Sequence, residues 1–96
     1  MQDERFEWDD DKAASNLAKH KIGFDDAQLV FDDPGSLDEP DDSMDYGEQR
    51  FKSIGMANAR LIVVFYTLRD ERVRIISARR PSRKEQQDYA RENRPF

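Results

Sequence analysis

Three stretches in the second half of the chain have the apolar patterns of neighbouring β-strands. Residues 60–68 (RLIVVFYTL) are apolar at both odd and even positions, which is typical of a central strand covered on both faces. Residues 72–78 (RVRIISA) predict a second strand, and residues 48–56 (EQRFKSIGM) predict a third, mixed strand. A turn at 57–59, where Asn58 tolerates a left-handed backbone, and a charged turn at 69–71 would join the three strands into an antiparallel meander.

The first third of the chain predicts two helices. Acidic residues 9–11 and basic residues 19–21 flank the first helix, and these charges complement the helix dipole. We expect Gly23 to stop this helix. A second, short helix is predicted from residue 25 or 26 to residue 31. Before them, residues 6–8 alternate apolar and polar positions, which favours a short strand or a lead-in packed on the core.

The remaining elements complete the predicted fold. Residues 32–45 are rich in Asp, Pro and Gly and predict an exposed acidic loop without calcium-loop spacing. Pro81 ends the last strand, and Ser82 with Glu85 forms a capping box that starts a C-terminal helix. We therefore predict one α+β domain over residues 1–96. It would have N-terminal helices, an antiparallel sheet of about three to four strands and a C-terminal helix.

Composition and motifs narrow the possible classes of protein. The chain has no cysteine, which excludes disulfides and thiolate metal sites. It has no apolar run of about 18 residues, and its first residues are too polar for a signal peptide. We expect a soluble cytoplasmic protein that does not contact membranes. Phosphate-binding glycine loops and the H-E-x-x-H zinc motif are absent, so we expect neither a cofactor nor a metal.

Charge is distributed unevenly between the two halves of the chain. Residues 1–48 contain 4 basic and 16 acidic residues, whereas residues 49–96 contain 12 basic and 5 acidic residues. Arg79, Arg80, Arg83 and Lys84 cluster where the last strand meets the last helix. Because a helix N-terminus disfavours cations, this cluster suggests an anionic ligand. The alternative is that these cations pair with the acidic half.

A few further residues could carry chemistry, and each has a structural alternative. Glu48 and Arg50 open a strand and could lie beside Arg79 at a bound phosphate, or could form a cross-strand salt bridge. His20, the only histidine, could be a general base or could cap the first helix. The aromatic residue Trp8 could stack on a base or belong to the core.

Four blocks in order resemble the BrnT family of ribonuclease toxins from bacterial type II toxin–antitoxin systems. They are FEWDDDKAASNLAKHKIGFDDA, YGEQRFKSIG, RLIVVFYT and RIISARRPSRKEQQDY, spanning about residues 6–89. The resemblance implies a compact α+β fold similar to RelE-type toxins and an RNA substrate. It also implies a BrnA-like antitoxin with a ribbon-helix-helix module. Operator DNA would be bound by this antitoxin and not by the toxin directly.

The resemblance and the basic cluster together give the expected site. The candidate catalytic residues are His20, Lys19, Glu48, Arg50, Arg79, Arg80 and Tyr89. The candidate RNA contacts are Arg74, Arg83, Lys84 and Trp8. Two positions depart from the family pattern: Lys21 stands where glycine is usual, and Pro81 where a small residue is usual.

The implied reaction is metal-independent RNA cleavage through attack by the RNA's own 2′-hydroxyl group. Arg50, Arg79 and Arg80 would clamp the scissile phosphate. His20 or Glu48 would take the proton, with Lys19 or Tyr89 supporting or donating one. Two alternatives stay open: a non-catalytic RNA-binding module, and a protein-interaction domain with no affinity for RNA.

Overall fold

A mixed β-sheet organises the part of the chain that the computed structural model describes, residues 1–42 and 47–95. The helices are α1 (Asp10–His20), α2 (Phe24–Ala27) and α3 (Arg83–Glu92), with a 3₁₀ segment at Gln28–Asp32. The strands are β1 (Phe6–Glu7), β2 (Leu37–Asp41), β3 (Arg50–Ala57), β4 (Arg60–Arg69) and β5 (Arg72–Arg79). Their order across the sheet is β1-β5-β4-β3-β2. Only β1 runs parallel to its neighbour among these described strands. The α+β prediction is confirmed.

The strand β4 lies at the centre of the sheet, as its continuous apolar pattern predicts. Residues 62–64 are fully buried because neighbours cover both faces. The turns on either side of β4 have left-handed backbone angles, which suit the twist of tight hairpins. The φ values are 50° at Asn58, 66° at Ala59, 49° at Asp70 and 66° at Glu71. Both predicted turns are therefore confirmed.

The core lies between one face of the sheet and the N-terminal helices. Ile62 and Val64 alternate with outward-facing neighbours, and both belong to the same buried cluster as Phe24 of α2. Val30 of the 3₁₀ segment is also fully buried. It lies so close to the sheet that a Cβ atom at Gly55 would be 2.8 Å from the Val30 side chain. Glycine at this position allows the close approach.

Helix α1 begins and ends at the charged residues that predicted its two ends, but Gly23 is not its stop. The Asp9 carboxylate caps it by accepting a hydrogen bond from the Lys12 N–H at 3.1 Å. The helix ends at His20, and Lys21 follows in the left-handed region with φ 61°. The prediction that Gly23 stops α1 is wrong. Gly23 instead lies at the N-cap of α2, in extended conformation.

The sheet contains more strands than the three to four predicted. Residues 6–7 do form a strand, and the additional one, β2, lies inside the predicted acidic loop 32–45. The loop prediction is wrong for Leu37–Asp41, which pairs antiparallel with β3. Three of the five side chains in β2 are exposed, because charged side chains are tolerated on an edge strand. Residues 43–45 of the predicted loop lie outside the described residues.

Helix α3 lies against the other face of the sheet and is held largely by polar contacts. The predicted capping box is present, with Ser82 and Glu85 each bonding the other's backbone N–H. Farther along the helix, the Tyr89 hydroxyl donates to the Asp33 carboxylate at 2.7 Å. The Asn93 side chain donates to the Gly35 carbonyl at 2.9 Å. This helix covers one end of the sheet face and leaves the middle open.

Candidate phosphate-binding site

The open middle of the sheet face has three neighbouring strands with outward-facing side chains in register. Phe65 of β4 lies opposite Lys52 of β3 on one side and Ser77 of β5 on the other. These side chains point away from the core, since Val64 next to Phe65 points into it. A cavity of about 240 Å³ lies over the Lys52 and Phe65 positions of this row. It is lined by Glu39, Pro40, Asp41, Lys52, Phe65 and Arg79.

The guanidinium group of Arg79 is held in this cavity by Glu85 and Phe65. Its two terminal nitrogens donate to the two Glu85 carboxylate oxygens at 2.7 and 3.0 Å. Its central carbon lies 5.3 Å from the centre of the Phe65 ring, within cation–π distance. The hydrogen bond to Glu85 raises the pKa of Arg79. Arg79 therefore stays charged in a defined orientation.

Glu85 is the buried centre of a charge network that links α3 to the sheet. Besides Arg79, its carboxylate accepts hydrogen bonds from the Ser82 N–H at 2.7 Å and from Lys52 Nζ at 3.0 Å. The hydrogen bond from Arg79 outweighs burial, so the pKa of Glu85 lies well below its usual range. The sequence identified Glu85 as a helix cap and did not place it among the site residues. The packing of α3 on the sheet gives it this second set of partners.

Lys52 is a member of the site that sequence reasoning missed. Its ammonium group contacts Glu39 at 2.9 Å and Glu85 at 3.0 Å, and 21% of its side chain is exposed. Burial lowers the pKa of Lys52, but the hydrogen bonds to the two carboxylates outweigh burial and raise it. The sequence does contain one indication of Lys52: it lies two residues after Arg50, so both side chains are on the same face of β3.

A second cavity of about 340 Å³ adjoins the first across β5. It is lined by Asp11, Lys12, Ser15, Asn16, Lys19, His20, Ile76 and Ser77. The Asn16 side chain fixes α1 to the strand, accepting from the Ala78 N–H at 3.1 Å and donating to the Ile22 carbonyl at 3.0 Å. Ser77 of the His20 cavity faces Phe65 of the Arg79 cavity across the strand pair, so the two cavities are lined by neighbouring residues of β4 and β5.

Glu48 is not brought to Arg79. Its carboxylate forms an ion pair with Arg69 at 3.1 Å, at the far end of β4. Arg79 lies opposite Val63, six residues earlier on β4, which corresponds to about 20 Å along the strand. The expectation that Glu48 lies beside Arg79 is therefore wrong, and the alternative of a salt bridge to a neighbouring strand is what the structure contains.

Arg80 and Tyr89 lie in a different place from Arg79. Both line a cavity of about 590 Å³ between α3 and the β3–β4 hairpin. Successive residues of an extended chain point in opposite directions, which separates Arg80 from Arg79. The Tyr89 hydroxyl donates to Asp33, and burial together with this hydrogen bond raises the pKa of Tyr89 to about 12. The structure thus does not gather the three predicted clamp arginines around one point.

The remaining candidates lie around the site or away from it. Arg50 lies opposite Asp41 of β2, and Arg74 pairs with Glu7 at 2.9 Å. Arg83 is exposed. Lys84 is exposed and pairs with Asp88 at 2.9 Å within α3. The Trp8 ring packs edge-on against Phe24 with the ring centres 5.9 Å apart, which favours the core role.

Fold and site together define a class: a small α+β protein with cations and an aromatic ring displayed on an open sheet face, suited to phosphate and bases. A family model described as "Ribonuclease toxin, BrnT, of type II toxin-antitoxin system" matches residues 8–85. The chain therefore belongs to the BrnT family of ribonuclease toxins. This membership implies an RNA substrate and an antitoxin partner.

No curated protein sequence matches the chain. The matched stretch ends at Glu85, so Tyr89 lies beyond it. None of the helices within residues 1–42 and 47–95 is both long and apolar enough to cross a membrane.

Proposed function

We propose that this chain cleaves RNA internally without a metal ion, through attack of the 2′-hydroxyl on the adjacent phosphate. The observation that carries the proposal is that Phe65, which lines one cavity, pairs across the sheet with Ser77, which lines the other. One cavity contains a fixed guanidinium group and the other contains an imidazole. An RNA strand bound over the Phe65–Ser77 pair would have one of these groups on each side.

The chemistry requires a proton acceptor, a charge stabiliser and a proton donor. His20 takes the proton from the 2′-hydroxyl as that oxygen forms a bond to phosphorus. Arg79 stabilises the extra negative charge on the phosphoryl oxygens. Arg50 of β3, which is separated from β5 by β4, contacts the RNA backbone away from the scissile phosphate. Lys19 gives a proton to the departing 5′-oxygen. The products are a 2′,3′-cyclic phosphate and a 5′-hydroxyl end.

The partner in this proposal is a BrnA-like antitoxin with a ribbon-helix-helix module. Such a partner would silence the toxin by covering the open sheet face, since that face would otherwise receive RNA. Operator DNA would contact the antitoxin and not this chain. Basic groups of the partner would then also contact the acidic side chains of β2 next to the site.

The test is cleavage of RNA by the purified chain in EDTA, with analysis of the fragment ends. We expect 2′,3′-cyclic phosphate and 5′-hydroxyl ends, and no cleavage of a fully 2′-O-methylated RNA. Fragments with 5′-phosphate ends, or activity abolished by EDTA, would contradict the mechanism. RNA left intact both alone and on ribosomes would contradict ribonuclease activity itself.

A further inference from the structure

The Lys52 ammonium group has two carboxylate partners that differ greatly in their surroundings. Glu85 is nearly buried, with 9% of its side chain exposed, and it is fixed by the Ser82 N–H and by Arg79. Glu39 is on the edge strand β2, with 59% of its side chain exposed. It is the outer partner, and water competes for it.

Because of these surroundings, Glu85 stays bound to Lys52, whereas Glu39 can be exchanged for another anion. Removing Glu85 from Lys52 would leave a buried carboxylate short of a cation, which is costly. Releasing Glu39 would return an exposed carboxylate to water at small cost. A lysine ammonium has three hydrogens, so Lys52 can keep Glu85 while it exchanges Glu39 for another anion.

The incoming anion would arrive beside Phe65 and Arg79. These two residues line the same cavity as Lys52 and Glu39. An RNA phosphate in that cavity would meet two cations, those of Lys52 and Arg79. The carboxylate of Glu39 would then stand close to the phosphate and repel it, unless the side chain moves out to solvent.

We propose that Lys52 is a phosphate-binding residue of the RNA site, and that Glu39 occupies its binding position until RNA displaces it. This inference rests on the proposed function, because it names a further residue of the same site. The acidic half of the chain thereby contributes a built-in competitor for its own substrate. The competitor lowers RNA affinity and leaves the chemistry of the bound complex unchanged.

The test measures binding of a 2′-O-methyl RNA oligonucleotide, which has the same phosphates but cannot react. Glu39→Gln should tighten binding by about two- to fivefold, the range expected when a competing exposed ion pair is removed. The matched control is Asp32→Asn, which also removes one negative charge. Asp32 pairs with Arg5 and is 61% exposed, so its environment resembles that of Glu39. We expect little change from this control.

A double-mutant cycle separates competition from a general charge effect. In a Lys52→Met background the Glu39→Gln substitution should no longer tighten binding. Lys52→Arg keeps the charge and should preserve the effect, which guards against loss of folding in the Met variant. Equal effects of Glu39→Gln and Asp32→Asn, or tightening that persists without Lys52, would overturn the inference.

The proposed function has its own separate readout in the same experiment. If the wild type cleaves unmodified RNA but Glu39→Gln does not change RNA binding, only the role of Lys52 and Glu39 is overturned. Wild-type protein that neither binds nor cleaves RNA overturns both proposals. In the cleavage assay Glu39→Gln should lower KM and leave kcat nearly unchanged, because the competitor acts on binding.

Discussion

Arg79 and Glu85 are joined by two hydrogen bonds, of 2.7 and 3.0 Å, across the junction between the last strand and the last helix. This pair explains how a cation-rich segment can precede a helix N-terminus, where positive charge is unfavourable. The Glu85 carboxylate lies in the first helical turn, complements the dipole and neutralises Arg79 at the same time. A residue of the helix thus holds the Arg79 guanidinium group at the edge of the cavity over the sheet face.

The first prediction concerns the two adjacent arginines. Arg79→Ala should lower the rate of RNA cleavage by roughly 10²-fold or more, because it removes a positioned charge stabiliser. Arg80→Ala should cost much less, because Arg80 lines a different cavity. Initial rates with a short RNA would measure both. Equal losses in the two variants would contradict the separation of these side chains.

The second prediction concerns the stability contributed by Glu85. Its folded-state pKa lies below the ordinary value of 4.5. The contribution is therefore complete above about pH 4.5 and is lost as pH falls towards the folded-state pKa. Glu85→Gln should lower the free energy of unfolding by about 1–3 kcal/mol at neutral pH, since it weakens buried charged hydrogen bonds.

Urea unfolding of the wild type and the Glu85→Gln variant at several pH values measures this contribution. The difference between the two proteins should shrink below about pH 4. Glu92→Gln is the control in the same helix, because Glu92 is 58% exposed and its contact with Arg91 is 3.8 Å long. A difference that stays constant on acidification would rule out the proposed electrostatic origin.

The third prediction separates two candidates for proton transfer. His20→Ala should lower cleavage by about 10²-fold or more, as expected for loss of a general base. Tyr89→Phe should leave the rate nearly unchanged, since the Tyr89 hydroxyl is bound to Asp33 and points into another cavity. The rates of both variants, compared at matched folded fractions, test the assignment. A large loss in Tyr89→Phe with a normal rate in His20→Ala would reverse it.

The fourth prediction concerns the residue that follows His20. Lys21 adopts a left-handed backbone with φ 61° at the C-cap of α1. Glycine adopts this conformation without the steric cost that a Cβ atom brings. Lys21→Gly should therefore raise the free energy of unfolding by about 0.5–1 kcal/mol.

Chemical denaturation of this variant, with RNA cleavage as a second readout, provides the check. Cleavage should be unchanged, because the substitution leaves the neighbouring His20 side chain in place. Lys12→Gly is a contrasting variant inside the helix and should destabilise the protein by a similar amount. If Lys21→Gly lowers the free energy of unfolding instead, the lysine side chain stabilises the protein by more than its left-handed backbone destabilises it.

Local signals in the sequence predicted the fold well where a single pattern decided the structure. Strand β4 was predicted from the apolar run 60–68 alone. The turn before it was predicted from Asn58, and the start of α3 from the Ser82–Glu85 capping box. The strand β2 was missed because Asp38, Glu39 and Pro40 are typical of loops. Pairing with β3 made it a strand, and pairing partners distant in sequence leave no local signal.

The site was predictable in its residue types but not in its arrangement. Arg79 was singled out by composition, yet its partner Glu85 had already been explained as a helix cap. Lys52 has no distinguishing local feature and becomes part of the site through contacts with residues 13 and 33 positions away. Arg80 is the same residue type as Arg79, but its side chain points to the opposite side, because successive side chains of an extended backbone alternate in direction.

The two tight turns around β4 also have a consequence for how the chain folds. They join β3, β4 and β5 through local contacts, which form early because little loop entropy is lost. The parallel pairing of β1 joins residues as distant as Glu7 and Arg74, 67 positions apart, and needs the intervening chain to be in place. We expect amide groups of the meander to gain protection first during refolding, with β1 docking as one of the last steps.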